Sequence, residues 1–194
     1  MQTIVWDVDD VLNDLMKAWF TEKWLPEHPL CATRYEELTQ NPPHELLGTT
    51  EEDYLSSLDS FRLSAPGRDL PPNQAVIAWF EREGSRYRHL ALTATPIINA
   101  QHAASWVLHH FGRWIRTFAY VPSGRPSDPL FAYDRSKNEF LSWWGKADIV
   151  IDDNPHHTAA AAQLGICTYL VPRPWNKAEG TLTDILASLN VAPH

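Results

Sequence analysis

The sequence predicts an α/β fold: a doubly wound parallel sheet covered by helices on both faces, with a small helical segment inserted after the first strand. Short apolar runs of strand length alternate with helical periodicity from residue 70 onward, the pattern of parallel strands joined by crossover helices. Asp7, Thr93 and Asp152 follow such runs, at the sheet edge where open α/β folds bind ligands. Between residues 25 and 70 the rhythm stops, with Pro42-Pro43, short helical stretches and few β-branched aliphatics. The expected organisation is therefore a core of residues 1–14 and 70–194, with a helical cap at 15–69.

Each element follows from local pattern. Thr3-Ile4-Val5-Trp6 is a short apolar run that suits a buried strand. Leu12, Leu15, Met16, Trp19 and Phe20 share one helical face, predicting a helix from Val11 to Trp24, closed by Pro26 and Pro29. Thr49-Thr50-Glu51-Glu52 ahead of Tyr54-Leu55 has the form of a capping box. Pro71-Pro72 marks a boundary, and Asn73 is placed to cap a helix ending near Gly84. Then come a strand at 89–92, a helix from Gln101 to Phe111 and a strand at 117–121. A loop rich in Pro, Gly and Ser spans 122–134, followed by a helix at 137–144. A strand at 147–151, a helix at 155–164, a strand at 167–171 and a helix at 182–189 complete the chain.

Composition narrows the partners. The 194 residues carry 16 Lys plus Arg against 24 Asp plus Glu, a formal net charge of -8. Such a chain gains nothing from the counterion release that drives general nucleic-acid binding, so no stable nucleic-acid contact is expected. No apolar run approaches the roughly 20 residues that span a bilayer, so no membrane contact is expected either. The start, Met1-Gln2-Thr3-Ile4-Val5-Trp6-Asp7, has neither a basic opening nor a small-residue cleavage site. Two widely spaced cysteines, Cys31 and Cys167, form no disulfide framework and no zinc-ligand spacing. A reducing, cytoplasmic location is the expectation. The nine tryptophans are first of all core residues, with a ligand-facing role left for a minority.

Four positions carry chemistry. Asp7-Val8-Asp9-Asp10 follows the first strand, Thr93 and Ala94 follow Leu90-Ala91-Leu92, Lys137 opens a helix, and Asp152-Asp153-Asn154-Pro155 follows Ile149-Val150-Ile151. Carboxylates from two strand ends repel unless a hard cation lies between them, and carboxylate oxygen suits Mg²⁺. A lysine in a first helical turn opposes the helix dipole, which makes sense if the lysine and the helix N-terminus face a common anion. Cation, lysine and N–H donors around one point are what phosphoryl transfer requires. Singly, each motif has an ordinary explanation: a polar turn, a helix cap, a solvated lysine. Together they converge on one edge in the order acid pair, hydroxyl, lysine, acid pair.

The motifs Ile4-Val5-Trp6-Asp7-Val8-Asp9, Leu90-Ala91-Leu92-Thr93, Lys137 and Ile149-Val150-Ile151-Asp152-Asp153 resemble those of the haloacid dehalogenase-like (HAD) superfamily of phosphohydrolases. The resemblance covers nearly the whole chain and implies a HAD-like, Rossmannoid core with the 15–69 segment as a type-1 cap. It implies that Asp7 is the nucleophile, forming an aspartyl-phosphate, and that Asp9 protonates the leaving group, then activates water. Thr93, Ala94 and Lys137 would bind phosphate, and Asp7, Asp9, Asp153 and Asp152 would hold Mg²⁺. Asp153 is favoured as the direct ligand and Asp152 as the partner of Lys137, although the two could exchange roles. Asp10 stands where Gly is commoner.

Asp-Val-Asp-Asp-Val-Leu, Ile-Asp-Asp-Asn-Pro and Pro174-Trp175-Asn176 are most similar to the 5'(3')-deoxyribonucleotidase group. A small phosphorylated substrate, specifically a (deoxy)ribonucleoside monophosphate, is the expectation, with oligomeric state unassigned. Trp19, Phe20, Trp24, Tyr35, Tyr54 and Phe61 are the rings available to stack on a base. Arg125 could reach a substrate but is read first as a surface arginine, while His156 and His157 are read as helix-start residues rather than metal ligands. Two alternatives stay open: a HAD phosphatase for another small phosphoester or a polynucleotide 3'-phosphate end, and a catalytically idle HAD-fold binding module.

Overall fold

The computed structural model describes residues 1–125, 128 and 131–189; positions 126, 127, 129 and 130 of the expected loop lie outside the described residues. Five strands, β1 (Thr3–Trp6), β2 (Arg88–Ala94), β3 (Thr117–Val121), β4 (Ile149–Asp152) and β5 (Cys167–Leu170), form one parallel sheet in the order β3-β2-β1-β4-β5. The order reverses about β1, whose Val5 faces Leu90 on one side and Val150 on the other. Its two neighbours, β2 and β4, therefore end beside it, and residues just after β1, β2 and β4 meet at one edge.

Alternation along β1 explains the two buried faces. Ile4 and Trp6 pack with Val76, Trp79 and Phe80 of α5 (Gln74–Glu83), Val107 and Phe111 of α6 (Ile97–Phe111), and Leu186 and Leu189 of α9 (Leu182–Leu189). Val5 points the other way, toward Phe140 and Leu141 of α7 (Lys137–Trp144) and Ala161 of α8 (Pro155–Gln163). Asn73 caps α5, accepting from the Ala75 and Val76 amides as its position predicts.

The inserted stretch has an apolar cluster of its own. It gathers Leu15, Met16 and Trp19 of α1 (Leu15–Trp19), Phe20 and Trp24 of a π-helical turn (Phe20–Trp24) that leads into α2 (Leu25–Glu27), and Tyr54, Leu58 and Phe61 of α3 (Glu51–Leu63). A short α4 (Ala65–Arg68) leads back to the sheet. Thr50 caps α3 by accepting from the Asp53 amide. The first helix begins at Leu15, not at Val11. Residues 8–13 are consumed by a turn in which the Val8 carbonyl accepts from the Leu12 amide at 2.9 Å and Asp10 adopts φ +60°. That left-handed conformation is the physical reason glycine suits position 10. The α6 helix, in turn, starts at Ile97 directly after Pro96, four residues earlier than its periodicity predicts.

His89, on β2, is locked by two hydrogen bonds. Its Nδ1 accepts from Trp6 Nε1 at 3.1 Å, so Nε2 carries the proton that it donates to Gly84 O at 2.7 Å. Burial lowers its pKa from 6.5 to about 4. The unfolded chain thus takes up the proton first, and the stability this neutral ring contributes is complete above pH 6.5 and lost as pH falls toward 4. The expected NMR titration shows His89 still neutral at pH 5; protonation at or above 6.5 would refute it. The loss is on the order of 3 kcal/mol at the acid end.

Candidate active site

The turn after β1 places Asp7 and Asp9 at the sheet edge. Asp7 continues the ladder through its amide to Ile151 O at 2.9 Å, which fixes its backbone between β1 and β4. Its own Oδ1 accepts from the Val8 amide at 2.7 Å. Asp10 does not face the same partners: Oδ1 accepts from the Met16 amide at 3.0 Å and so caps the first turn of α1. Arg173, beyond β5, donates through Nε to Asp10 O at 2.8 Å and pairs with Asp14 at 2.7 Å, holding the turn from the other side.

Lys137, at the start of α7 behind its Ser136 cap, is 4% exposed. Its Nζ lies 2.8 Å from Asp7 Oδ1 and 2.7 Å from Asp152 Oδ2. One cation thus bridges the two strand ends, which is why a lysine stands at the helix start that the macrodipole disfavours for it. Asp152 is further held through Oδ1 by the Asn154 amide at 2.9 Å and lies 3.3 Å from His157 Nδ1. Asp153 looks elsewhere: its Oδ2 accepts from Trp175 Nε1 at 2.8 Å, while Asn176 Nδ2 donates to its carbonyl. Thr93 is buried at the end of β2, and Thr93 and Ala94 line the same cavity as Asp7, Asp9, Lys137 and Asp153.

The charge balance is lopsided. Asp7, Asp10, Asp152 and Asp153 are all buried. Burial resists the charge on Asp152, but Lys137 and His157 outweigh it and pull its pKa down to about 2. Burial, reinforced by that same Asp152 charge, raises Asp7 to about 7 in spite of Lys137. Burial and the carboxylates of Asp152, Asp10 and Asp7 raise Asp153 well above 3.8. A pocket with more buried carboxylate than cation fits a hard divalent cation, whose charge offsets the excess and whose oxygen preference the aspartates satisfy. Among the described residues, ligand atoms of Asp7, Asp152 and His157 lie within 4.8 Å of one another.

The cavity above these residues has a volume of about 790 Å³, within the roughly 300–1,000 Å³ usual for small-molecule sites. Its far wall belongs to the inserted segment and includes Met16, Tyr54, Leu55, Leu58, Asp59 and Arg62. Of the rings considered for base stacking, Tyr54 is on this wall; Trp19, Phe20, Trp24 and Phe61 are buried in the cluster behind it, and Tyr35 meets Trp175 edge-on. Arg62 and Asp59 were not among the sequence candidates. Their i,i+3 spacing on an amphipathic helix gives no sign that Arg62 Nη2 reaches Asp9 Oδ2, 53 residues away, at 2.8 Å.

No protein-family model matches the chain, and no curated protein matches it. Solved structures do. A haloacid dehalogenase-like hydrolase from Streptococcus pneumoniae aligns with a TM-score of 0.60 at 13% identity, covering 96% of this chain and 90% of that one. A HAD-superfamily hydrolase of subfamily IA from Geobacter sulfurreducens aligns at 0.55 and 12% identity, covering 97% and 96%. Protein Tyrosine Kinase A of Mycobacterium tuberculosis aligns at 0.59 and 18% identity, covering 92% and 86%. At such identities the likeness shows the fold: the chain has the HAD-like α/β architecture. Because a protein named as a kinase shares it with the hydrolases, the chemistry has to be read from the site.

Proposed function

We propose that the chain is a Mg²⁺-dependent phosphomonoesterase working through an aspartyl-phosphate, with residues 15–69 as the cap over its active site. The observation that carries this is the single buried lysine bridging Asp7 and Asp152 at the floor of the cavity. A nucleophilic carboxylate needs a neighbouring positive charge to approach a phosphate dianion, and Lys137 supplies one within hydrogen-bond reach. Asp7 attacks phosphorus as the ester P–O bond breaks, and Asp9 gives its proton to the departing oxygen. Asp9 then takes a proton from water, which attacks phosphorus and cleaves the bond to Asp7, releasing phosphate and restoring the carboxylate. Thr93, the Ala94 backbone and Lys137 orient the phosphoryl oxygens.

Asp7, Asp153 and the Asp9 backbone would hold Mg²⁺, with Asp152 retained for Lys137; both Asp152 oxygens already have partners. Bound there, the ion supplies charge neutralisation for the approach of phosphate and for the developing negative charge. The substrate is a (deoxy)ribonucleoside monophosphate. Support comes from the motif resemblance, from the cavity volume, and from the Tyr54, Met16, Leu55 and Leu58 wall that a base could cover. Inorganic phosphate release from nucleoside monophosphates, sugar phosphates and p-nitrophenyl phosphate, with Mg²⁺ and with EDTA, tests it. The expected result is Mg²⁺-dependent release, strongest on nucleotides. Release favouring other esters would discard the nucleotidase assignment, and release unaffected by EDTA would discard the metal.

A further inference from the structure

The wall of the cavity facing Asp7 carries a charge pattern that bears on the leaving group. Arg62 on α3 donates through Nη2 to Asp9 and through Nη1 to Asp59 Oδ1 at 3.1 Å. Asp59 is also paired with Arg125 from the loop after β3 and accepts from Asn99 Nδ2 of α6 at 3.1 Å. These groups are withdrawn from solvent: side-chain exposure is 15% for Arg62, 12% for Arg125 and 23% for Asp59. Asp59, Arg62 and Arg125 all line the cavity, and Glu51 and Glu52 lie on the same wall.

Two guanidinium groups on the leaving-group side would by themselves make an anion site. Asp59 cancels it. In the series Asp9–Arg62–Asp59–Arg125 the signs alternate: Asp59 is shared by both guanidinium groups, and Asp9 offsets the remaining positive charge except while it holds its catalytic proton. Among the described residues lining the cavity, the other ammonium or guanidinium is that of Lys137, at the phosphoryl end and paired with Asp7 and Asp152. A second anion on the substrate would have to break a half-buried ion pair or lie against Asp59, Glu51 and Glu52, and like charges held that close oppose binding.

We propose that Asp59 is a specificity-determining residue, and that through it the site selects phosphomonoesters whose leaving group is uncharged or cationic while rejecting those bearing a second anion. This rests on the phosphomonoesterase reading.

Two matched substrate pairs test it: glycerol 3-phosphate against 3-phosphoglycerate, and a nucleoside 5'-monophosphate against its 3',5'-bisphosphate. Wild-type kcat/KM should favour the first member of each pair by about tenfold or more. Asp59→Asn, which leaves Arg62 and Arg125 without their common carboxylate, should shrink that preference severalfold through a gain on the anionic member. Asp59→Glu should retain it. Equal or better turnover of the anionic members by wild type overturns the inference, as does a preference that Asp59→Asn leaves unchanged. Should Asp59→Asn fail to fold, Arg125→Gln takes its place: it leaves the Asp59 carboxylate less compensated and should widen the preference, and an unchanged preference overturns the inference. Absence of turnover on every ester would instead remove the phosphomonoesterase reading and this inference with it.

Discussion

Asp7→Asn is expected to lower kcat by about 10⁴ or more on any substrate the protein turns over, with no loss of fold. The first half follows from position. Asp7 is the carboxylate fixed by backbone between β1 and β4, 2.8 Å from the buried Lys137 Nζ, and an amide there could not form the proposed phosphoenzyme. The second half follows from charge. Burial and Asp152 push the Asp7 pKa up to about 7, so in the metal-free protein its charge is held against an opposing environment. Asn keeps the shape and removes that burden, while Lys137 keeps Asp152 at 2.7 Å. Urea denaturation of the metal-free variant should therefore give a midpoint equal to or above that of wild type, alongside the collapse in phosphate release. A variant that released phosphate at more than about a hundredth of the wild-type rate would remove Asp7 as nucleophile. One that unfolded would show that the Lys137 bridge, not the acid's desolvation, dominates.

The strand ends were legible in the sequence because each demands a residue type that is poorly suited to its position for any other reason. An aspartate closing a buried strand and a lysine at a helix start both oppose local preference, and the structure resolves the conflict by pairing them. The sheet was legible for a similar reason: runs such as Ile149-Val150-Ile151 are buried on both faces and read as continuous apolar strands. The turn at 8–13 was not. Val11, Leu12, Leu15 and Met16 are all buried and share helical spacing, but the first two sit on a turn and pack into the core of the sheet. Periodicity reports which residues face the core; it does not report whether backbone hydrogen bonds are helical. The contacts of the inserted segment were hidden more deeply. Nothing local to Arg62 or Asp59 distinguishes an i,i+3 surface pair from a bridge to Asp9, because that partner lies 53 residues earlier in the chain, just after β1.

Lys137→Met separates what the lysine does for the fold from what it does for the chemistry. Met keeps most of the aliphatic stem and removes the charge, leaving Asp7 and Asp152 buried side by side. Removing one partner of a buried ion pair is expected to cost about 3–5 kcal/mol at pH 7.5 without metal. The deficit should diminish as pH falls, since protonating either acid relieves it, and should diminish again when Mg²⁺ is added, since an ion in the proposed site would supply positive charge to the same acidic pocket. Turnover should fall by roughly 10³ even where stability is restored, because the positive charge beside the attacking oxygen is gone. The double variant Lys137→Met/Asp152→Asn carries the decisive contrast. It removes one cation and one anion together, so its metal-free stability should return to within about 1 kcal/mol of wild type, a strongly non-additive result for two contacting residues. Its activity should not return. Recovery of both would make Lys137 merely the neutraliser of Asp152; recovery of stability alone places its charge at the phosphoryl group.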